Sequence, residues 1–220
     1  MKKLLSGLFL LTMLFSAINA QVPKGIGTSD PEAKKVLDGV SNKFKTYKTV
    51  QAKFSLKVEN AAGKNLGVKT GTVYMKGSKY RISVTGQEIF SDGSTIWTFD
   101  KADNSVTISK LDPSANSLTP QKLFSNFYDK DFLYKLNGDV KLNGKSLKEI
   151  ELTPIDKTKP FFKVLVYIDK SSINTTKIFE KNGNRYTYST NALTPNTVIA
   201  DAMFGFDAKK YPGVDIVDLR

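Results

Sequence analysis

Residues 49–60 read TVQAKFSLKVEN, in which Val50, Ala52, Phe54, Leu56 and Val58 alternate with Gln51, Lys53, Ser55, Lys57 and Glu59. Successive side chains of a strand point to opposite faces, so this period of two predicts an extended segment with one apolar and one wetted face. An antiparallel sheet covered on one side has that pattern. Outward from it the pattern recurs in GTVYMKG (71–77), KYRISVT (79–85), QEIFS (87–91), STIWTFD (94–100) and SVTISKL (105–111). It resumes in FLYKLN (132–137), KSLKEIELTPI (145–155), FFKVLVYIDK (161–170), INTTKIFEK (173–181) and NRYTYSTNAL (184–193). The joins are turn-rich: Asp92-Gly93 reads as a two-residue hairpin, KADN (101–104) as a longer one, and Asn137-Gly138, Asn143-Gly144 and Asn182-Gly183 punctuate the rest. FFKVLVY is apolar on both faces, which predicts cover on its outer side as well, by the first helix.

Two helical segments interrupt the strands. In TSDPEAKKVLDGVSNKFKTY (28–47), Ser29 with Glu32, or Asp30 before Pro31, opens a helix. Val36, Leu37, Val40, Phe44 and Tyr47 then recur at helical spacing as one apolar stripe, with Gly39 inside it. In SLTPQKLFSNFYDKDF (117–132), Thr119 and Pro120 open a shorter helix whose apolar face carries Leu123, Phe124, Phe127 and Tyr128. The chain is thus expected to be mainly β, about 10 to 11 short antiparallel strands in one curved sheet, barrel-like or partly closed, with helices over its mouth or edge. A β-sandwich has the same periodicity and stays open as an alternative.

Composition excludes several functions. The 220 residues contain no cysteine, so neither a disulfide framework nor acylation at a cysteine is available, and the core alone holds the fold. Lacking histidine, the chain has no Ser-His-Asp or Cys-His catalysis and no histidine zinc site. No G-x-S-x-G, P-loop or G-x-G-x-x-G is present. An enzyme is not expected, nor any cofactor or metal. The first twenty residues, MKKLLSGLFLLTMLFSAINA, combine Lys2 and Lys3, an apolar stretch and a small-residue exit, as a secretory signal cleaved near Ala20 does. Residues 21–220 then form a single exported domain. Formal charge is +12, or +10 once Lys2 and Lys3 are removed. In an exported chain this implies a solvated basic surface, with salt-sensitive attraction to anionic lipid head groups or an acidic partner, and no nucleic acid.

On STIWTFD, Thr95, Trp97 and Phe99 share the larger apolar face and are expected to point to the concave side. With Phe54, Leu56, Val73, Met75, Tyr80, Ile82, Val84, Val106 and Ile108 they are expected to line a wide apolar interior. The order of SDGSTIWTFD (91–100), the helix opened at Thr119-Pro120, and the tail FGFDAKKYPGVDIVDLR (204–220) resembles the periplasmic outer-membrane lipoprotein carrier family, LolA. The family's closing pattern falls here on Phe204, Phe206, Gly213, Val214, Ile216 and Asp218. The resemblance implies an incomplete, unclosed antiparallel β-barrel with helices covering its concave face. It further implies a periplasmic carrier, and chaperone in protein transport for outer-membrane biogenesis, that binds the acyl chains of lipoproteins. Such a carrier takes acylated lipoproteins from an inner-membrane ABC transporter to an outer-membrane acceptor, most simply as a monomer. Val40 and Phe44 of the first helix, with Leu123, Phe124 and Phe127 of the second, are expected to act as lids. Where the family has Lys-Arg-Pro, with an arginine latching the lid, this chain reads Lys76-Gly77-Ser78, and Lys79 or Arg81 is left as a substitute. The same half-barrel also fits a lipid or lipoprotein sensor, or a carrier of another lipid.

Overall fold

Pro31 at the first turn and Asp30 before it set the start of the opening helix. The Asp30 carboxylate accepts a hydrogen bond from the Glu32 amide at 2.9 Å, so aspartate and not Ser29 is the cap. This helix, α1 (Pro31–Lys45), buries Ala33, Leu37 and Val40 and precedes the strands. The computed structural model describes residues 29–111 and 128–220; the expected export signal and the expected lid residues Leu123, Phe124 and Phe127 lie outside them.

Six strands follow α1: β1 (Val50–Glu59), β2 (Asn65–Lys76), β3 (Lys79–Val84), β4 (Gln87–Ser91), β5 (Thr95–Asp100) and β6 (Ser105–Lys110). A single turn, α2 (Tyr128–Asp131), leads into β7 (Phe132–Leu142), β8 (Lys145–Pro154), β9 (Phe161–Asp169), β10 (Ser172–Glu180) and β11 (Arg185–Pro195). Two 3-10 turns, Asp201–Phe204 and Ala208–Lys210, carry the chain to β12 (Asp215–Asp218).

All twelve strands make one sheet, in the order β12-β6-β5-β4-β3-β2-β1-β11-β10-β9-β8-β7. Its edge strands, β12 and β7, do not pair with each other, so the barrel is unclosed, as expected. The twelfth strand exceeds the expected number. It lies parallel to β6, with Ile216 opposite Val106, while every other pairing is antiparallel. Turn chemistry follows the sequence at Asn143-Gly144, where φ of 50° and 77° suits a two-residue hairpin between twisted strands. At the β4–β5 join the turn is one residue later than expected. The Asp92 amide donates to the Thr95 carbonyl at 3.3 Å, leaving Gly93 and Ser94 as the turn. The Asp92 carboxylate accepts from the Ser94 and Thr95 amides, both at 2.8 Å, which fixes the corner.

The register divides the side chains between two faces. The pairs Val50–Met75, Ala52–Val73 and Phe54–Gly71 extend through Met75–Tyr80 and Val73–Ile82 to Ile82–Ile89 and Ile89–Thr98. This is the inner face, on which α1 lies. It continues through β11 and β10 to β9 by Leu56–Tyr188, Tyr188–Thr176 and Thr176–Val166. One core cluster on it joins Ala33, Leu37 and Val40 of α1 to Phe132, Ile150, Leu152, Val164, Val166 and Ile168. A second joins Phe44 and Tyr47 to Val50, Ala52, Val73, Met75 and Tyr80. The helix therefore covers the face of β9 that carries Val164, Val166 and Ile168. The expectation that it covers the outer side of FFKVLVY is corrected: on that side Leu165 and Tyr167 are half-buried and Phe162 is 50% exposed.

Candidate functional site

The inner face is the candidate site because apolar side chains dominate it from β4 to β9, interrupted by Lys69 opposite Leu56, Thr190 opposite Phe54 and Thr176 opposite Tyr188, and among the described residues α1 covers only part of it. Val73, Met75 and Tyr80 are buried beneath Phe44 and Tyr47 at the lower end, where β2 meets β3. Toward the upper end, where β1 turns into β2, Phe54, Leu56, Val58, Ile82, Val84, Tyr186 and Tyr188 are half-buried. Phe54 is held by its partner across the ladder. A Cβ on Gly71 would sit 2.7 Å from the Phe54 Cζ and 2.6 Å from the Ser83 carbonyl oxygen, so only glycine leaves room for the ring. Burial pushes the Tyr188 hydroxyl above the ordinary tyrosine range, as expected for a phenol on an apolar surface.

The helix is anchored at its start by polar contacts. The Asp30 amide donates to the Tyr134 carbonyl at 2.9 Å, and its carboxylate accepts from the Leu136 amide at 3.1 Å. The Tyr128 hydroxyl donates to Asp38 at 2.7 Å, and Lys34 reaches both Asp38 and Asp129 at 3.1 Å. The Tyr128 hydroxyl bond holds Asp38 below the usual carboxylate range, against the effect of its partial burial, with Lys34 assisting. These contacts are confined to α2 and β7. The far end of α1 meets the sheet mainly by the apolar packing of Phe44 and Tyr47, with one long hydrogen bond from Lys43 Nζ to Ser172 Oγ at 3.4 Å, so the two ends of the helix differ in how they are held.

The structure brings together Phe54, Leu56, Val73, Met75, Tyr80, Ile82 and Val84 on the inner face, with Phe44 against them and Val40 over the adjoining cluster. It does not bring Trp97, Phe99, Val106 and Ile108 there. Phe90 pairs with Trp97 and with Arg81, and Trp97 pairs with Ile108, so this set stands on the outer face. The expectation that Trp97 points to the concave side is corrected. The physical reason is that the larger apolar residues of β5 are covered by the chain's own C-terminal segment. Phe206, Tyr211 and Val214 pack on Phe90, Phe99 and Val106, with Trp97 at the margin. The rings of Phe99 and Tyr211 lie 4.4 Å apart, and those of Phe206 and Tyr211 stack at 4.7 Å.

Arg81 belongs to this outer cluster. Its guanidinium donates to Glu88 at 2.6 Å and lies over the Phe90 ring at 4.7 Å from the centroid. Lys76 and Lys79 pair with Asp201 at 3.3 and 3.1 Å. Within the described residues, then, the basic side chains considered as a lid latch hold the C-terminal strap on the side away from α1. Two depressions of about 450 and 290 Å³ are also present: the first is lined by Lys53, Thr72, Ser83 and Asn191 together with Phe54, Gly71 and Val84, and the second lies on the outer face between Arg81, Phe90, Met203 and Tyr211.

Sequence reasoning missed the contribution of β9, β10 and β11 to the inner face. Tyr186 and Tyr188 alternate in NRYTYSTNAL as clearly as the residues of β1 do, and that alternation was the signal available.

An open antiparallel sheet with an apolar concave face beneath a helix defines the class of unclosed half-barrels. The family model described as outer membrane lipoprotein carrier protein LolA matches residues 45–207, and the chain belongs to that family. It is 28% identical over 167 residues to an outer-membrane lipoprotein carrier protein of Cupriavidus necator, covering 74% of this chain and 76% of that one. A protein so named from Cupriavidus pinatubonensis is 25% identical over 207 residues, covering 90% and 91%. Among solved structures, an uncharacterized conserved protein from Thermus thermophilus superposes with a TM-score of 0.57 at 13% identity, over 85% of this chain and 99% of that one; this likeness concerns the fold.

Proposed function

We propose that this chain is a periplasmic carrier that takes the acyl chains of lipoproteins onto the inner face of its half-barrel and shuttles them from the inner to the outer membrane. In this reading residues 1–20 are the export signal and residues 21–220 one carrier domain. An inner-membrane ABC transporter loads it and an outer-membrane acceptor unloads it. The observation that carries the reading is the largely apolar inner face, half-exposed at Leu56, Val58, Val84, Tyr186 and Tyr188 and covered elsewhere, among the described residues, by a helix whose last turn is held mainly by apolar packing.

Binding on such a face needs a compensating cost. Burying a methylene is worth about 0.8 kcal/mol, so one acyl chain of about fifteen methylenes gains roughly 12 kcal/mol. Cargo held that tightly would not leave. Displacing Phe44 and Tyr47 from Val73, Met75 and Tyr80 costs about 1.5 to 3 kcal/mol per large side chain exposed. Lifting the last turn of α1 thus offsets part of the gain and leaves an affinity at which handover proceeds without covalent chemistry.

The test is a titration with a triacylated lipopeptide and its deacylated twin. The native Trp97 reports on the outer face, so the probe is moved by combining Trp97→Phe with Val84→Trp. A saturable fluorescence change with the acylated peptide alone supports the reading. No change in folded protein sinks it.

A further inference from the structure

The strand polarity brings three turns to the upper end of the sheet side by side: β1–β2 (60–64), β10–β11 (181–184) and β8–β9 (155–160). They are tied together. The Lys181 amide donates to the Pro160 carbonyl at 2.9 Å, its ammonium reaches the Lys157 carbonyl, and a Cβ on Gly183 would lie 2.6 Å from that of Ala61. This rim exposes Leu66 (58%), Val68 (57%), Ile155 (50%) and Phe162 (50%), four of the eight large hydrophobics that are exposed among the described residues.

Leu66 and Val68 belong to a stretch of β2 that β1 alone pairs, because β3 reaches only Gly71. A bare apolar edge of this kind is an aggregation hazard that proteins ordinarily blunt. Here lysines flank it. Residues 57–69, 155–163 and 177–185 carry nine lysines and arginines against three carboxylates. Lys163, Lys177 and Arg185 lie around the Phe179 ring at 4.7, 5.4 and 6.0 Å, and that ring is 6.2 Å from Phe162. No salt bridge joins these three cations to a carboxylate among the described residues, although Glu59, held below the ordinary carboxylate range chiefly by Lys57, stands across the ladder from Arg185 and feels the charges of Lys177 and Arg185. The half-exposed part of the inner face opens at this same end.

We propose that this rim docks the protein on the surface of an anionic phospholipid bilayer. Leu66, Val68, Ile155 and Phe162 enter the head-group layer, and Lys163, Lys177, Arg185 and Lys181 face lipid phosphates. Apolar tips among cations that outnumber carboxylates nine to three match such a surface in both its parts. Docking there presents the open end of the inner face to the membrane. The inference gives the carrier reading a membrane-facing side but stands on the rim alone.

The experiment is co-sedimentation of the chain recovered from the periplasm with large vesicles, either pure phosphatidylcholine or phosphatidylcholine mixed with phosphatidylglycerol. Binding is expected to the mixed vesicles only and to fall steeply with salt. Lys163→Glu with Lys177→Glu is expected to lower it by about tenfold or more, since each cation near the surface contributes separately. Leu66→Ser with Val68→Ser is expected to lower it by a few-fold. Both variants should melt as the parent does and bind triacylated lipopeptide in solution unchanged. Equal binding to both vesicle types, no binding to either, or full binding by the charge-reversed chain overturns the proposal. Vesicle binding without any lipopeptide binding would overturn the carrier reading and leave the docking surface standing.

Discussion

Among the described residues, the inner face beneath α1 and the outer face of β4, β5 and β6 both carry apolar side chains, yet only one is left open. On the outer face the chain supplies its own cover: Phe206, Tyr211 and Val214 fill the surface offered by Phe90, Phe99 and Val106, down to rings 4.4 Å apart. On the inner face the cover is a helix held by ion pairs at one end and chiefly by apolar contact at the other, and Leu56, Val58 and Val84 stay half-buried. Equivalent alternation in sequence thus leads to a finished core in one place and an unfinished one in the other. The difference lies in what comes to cover each surface.

The contrast breaks most sharply at Phe99. Phe99→Ala is expected to cost about 3 to 5 kcal/mol by chemical unfolding, because the buried ring leaves a cavity under the strap. Acyl-lipopeptide affinity should not change, and a parallel loss of affinity would mean that the outer cluster serves binding after all. Next comes the Glu88 ion pair beneath the same strap. Burial alone would raise the Glu88 carboxyl, but hydrogen bonds from Lys101 and Arg81 outweigh it and hold the group below its ordinary 4.5. The folded value being the lower one, this stabilisation is present above the unfolded value and is lost as pH falls through the folded one. Glu88→Gln should therefore cost about 2 kcal/mol at neutral pH, less than the roughly 3 to 5 of a fully buried pair, and flatten the acid limb of a stability curve.

The inner face is sharpened by Leu56→Asp. Its expected effect is about a tenfold loss of acyl-lipopeptide affinity, equivalent to about 1.4 kcal/mol, with a smaller change in the unfolding midpoint, since Leu56 is already half-exposed. A midpoint that falls as far as the affinity would return Leu56 to the core. Smallest of all should be Asp201→Asn. The Lys76 and Lys79 pairs it removes are exposed, so thermal melting is expected to match the parent within experimental scatter.

Much of this fold was legible because alternation in β1 and the capping signal at Asp30-Pro31 are local. Each strand's division into two faces also follows from local pattern. Which of the two is inner is another matter, since it depends on hairpin register and on what lands there later. For β5 the heavier side, Trp97 and Phe99, suggested the cavity, but Phe206 and Tyr211 lie more than a hundred residues downstream and claim that side for themselves. The pairing of Ile82 with Ile89 and of Ile89 with Thr98 is what marks the lighter side as inner. β12 escaped notice for a related reason: DIVD is four exposed residues with no buried face to impose a period.

The strap and β12 are made long after the surface they cover. Phe99 and Val106 emerge from synthesis well before Phe206, Tyr211 and β12, so the outer cluster and one sheet edge stay incomplete until those later residues arrive. Such late, distant closure makes folding slow relative to local hairpin formation. For a chain that leaves the cytoplasm before it folds, the same order would act as a timer, in which late-translated residues hold off completion of the native state.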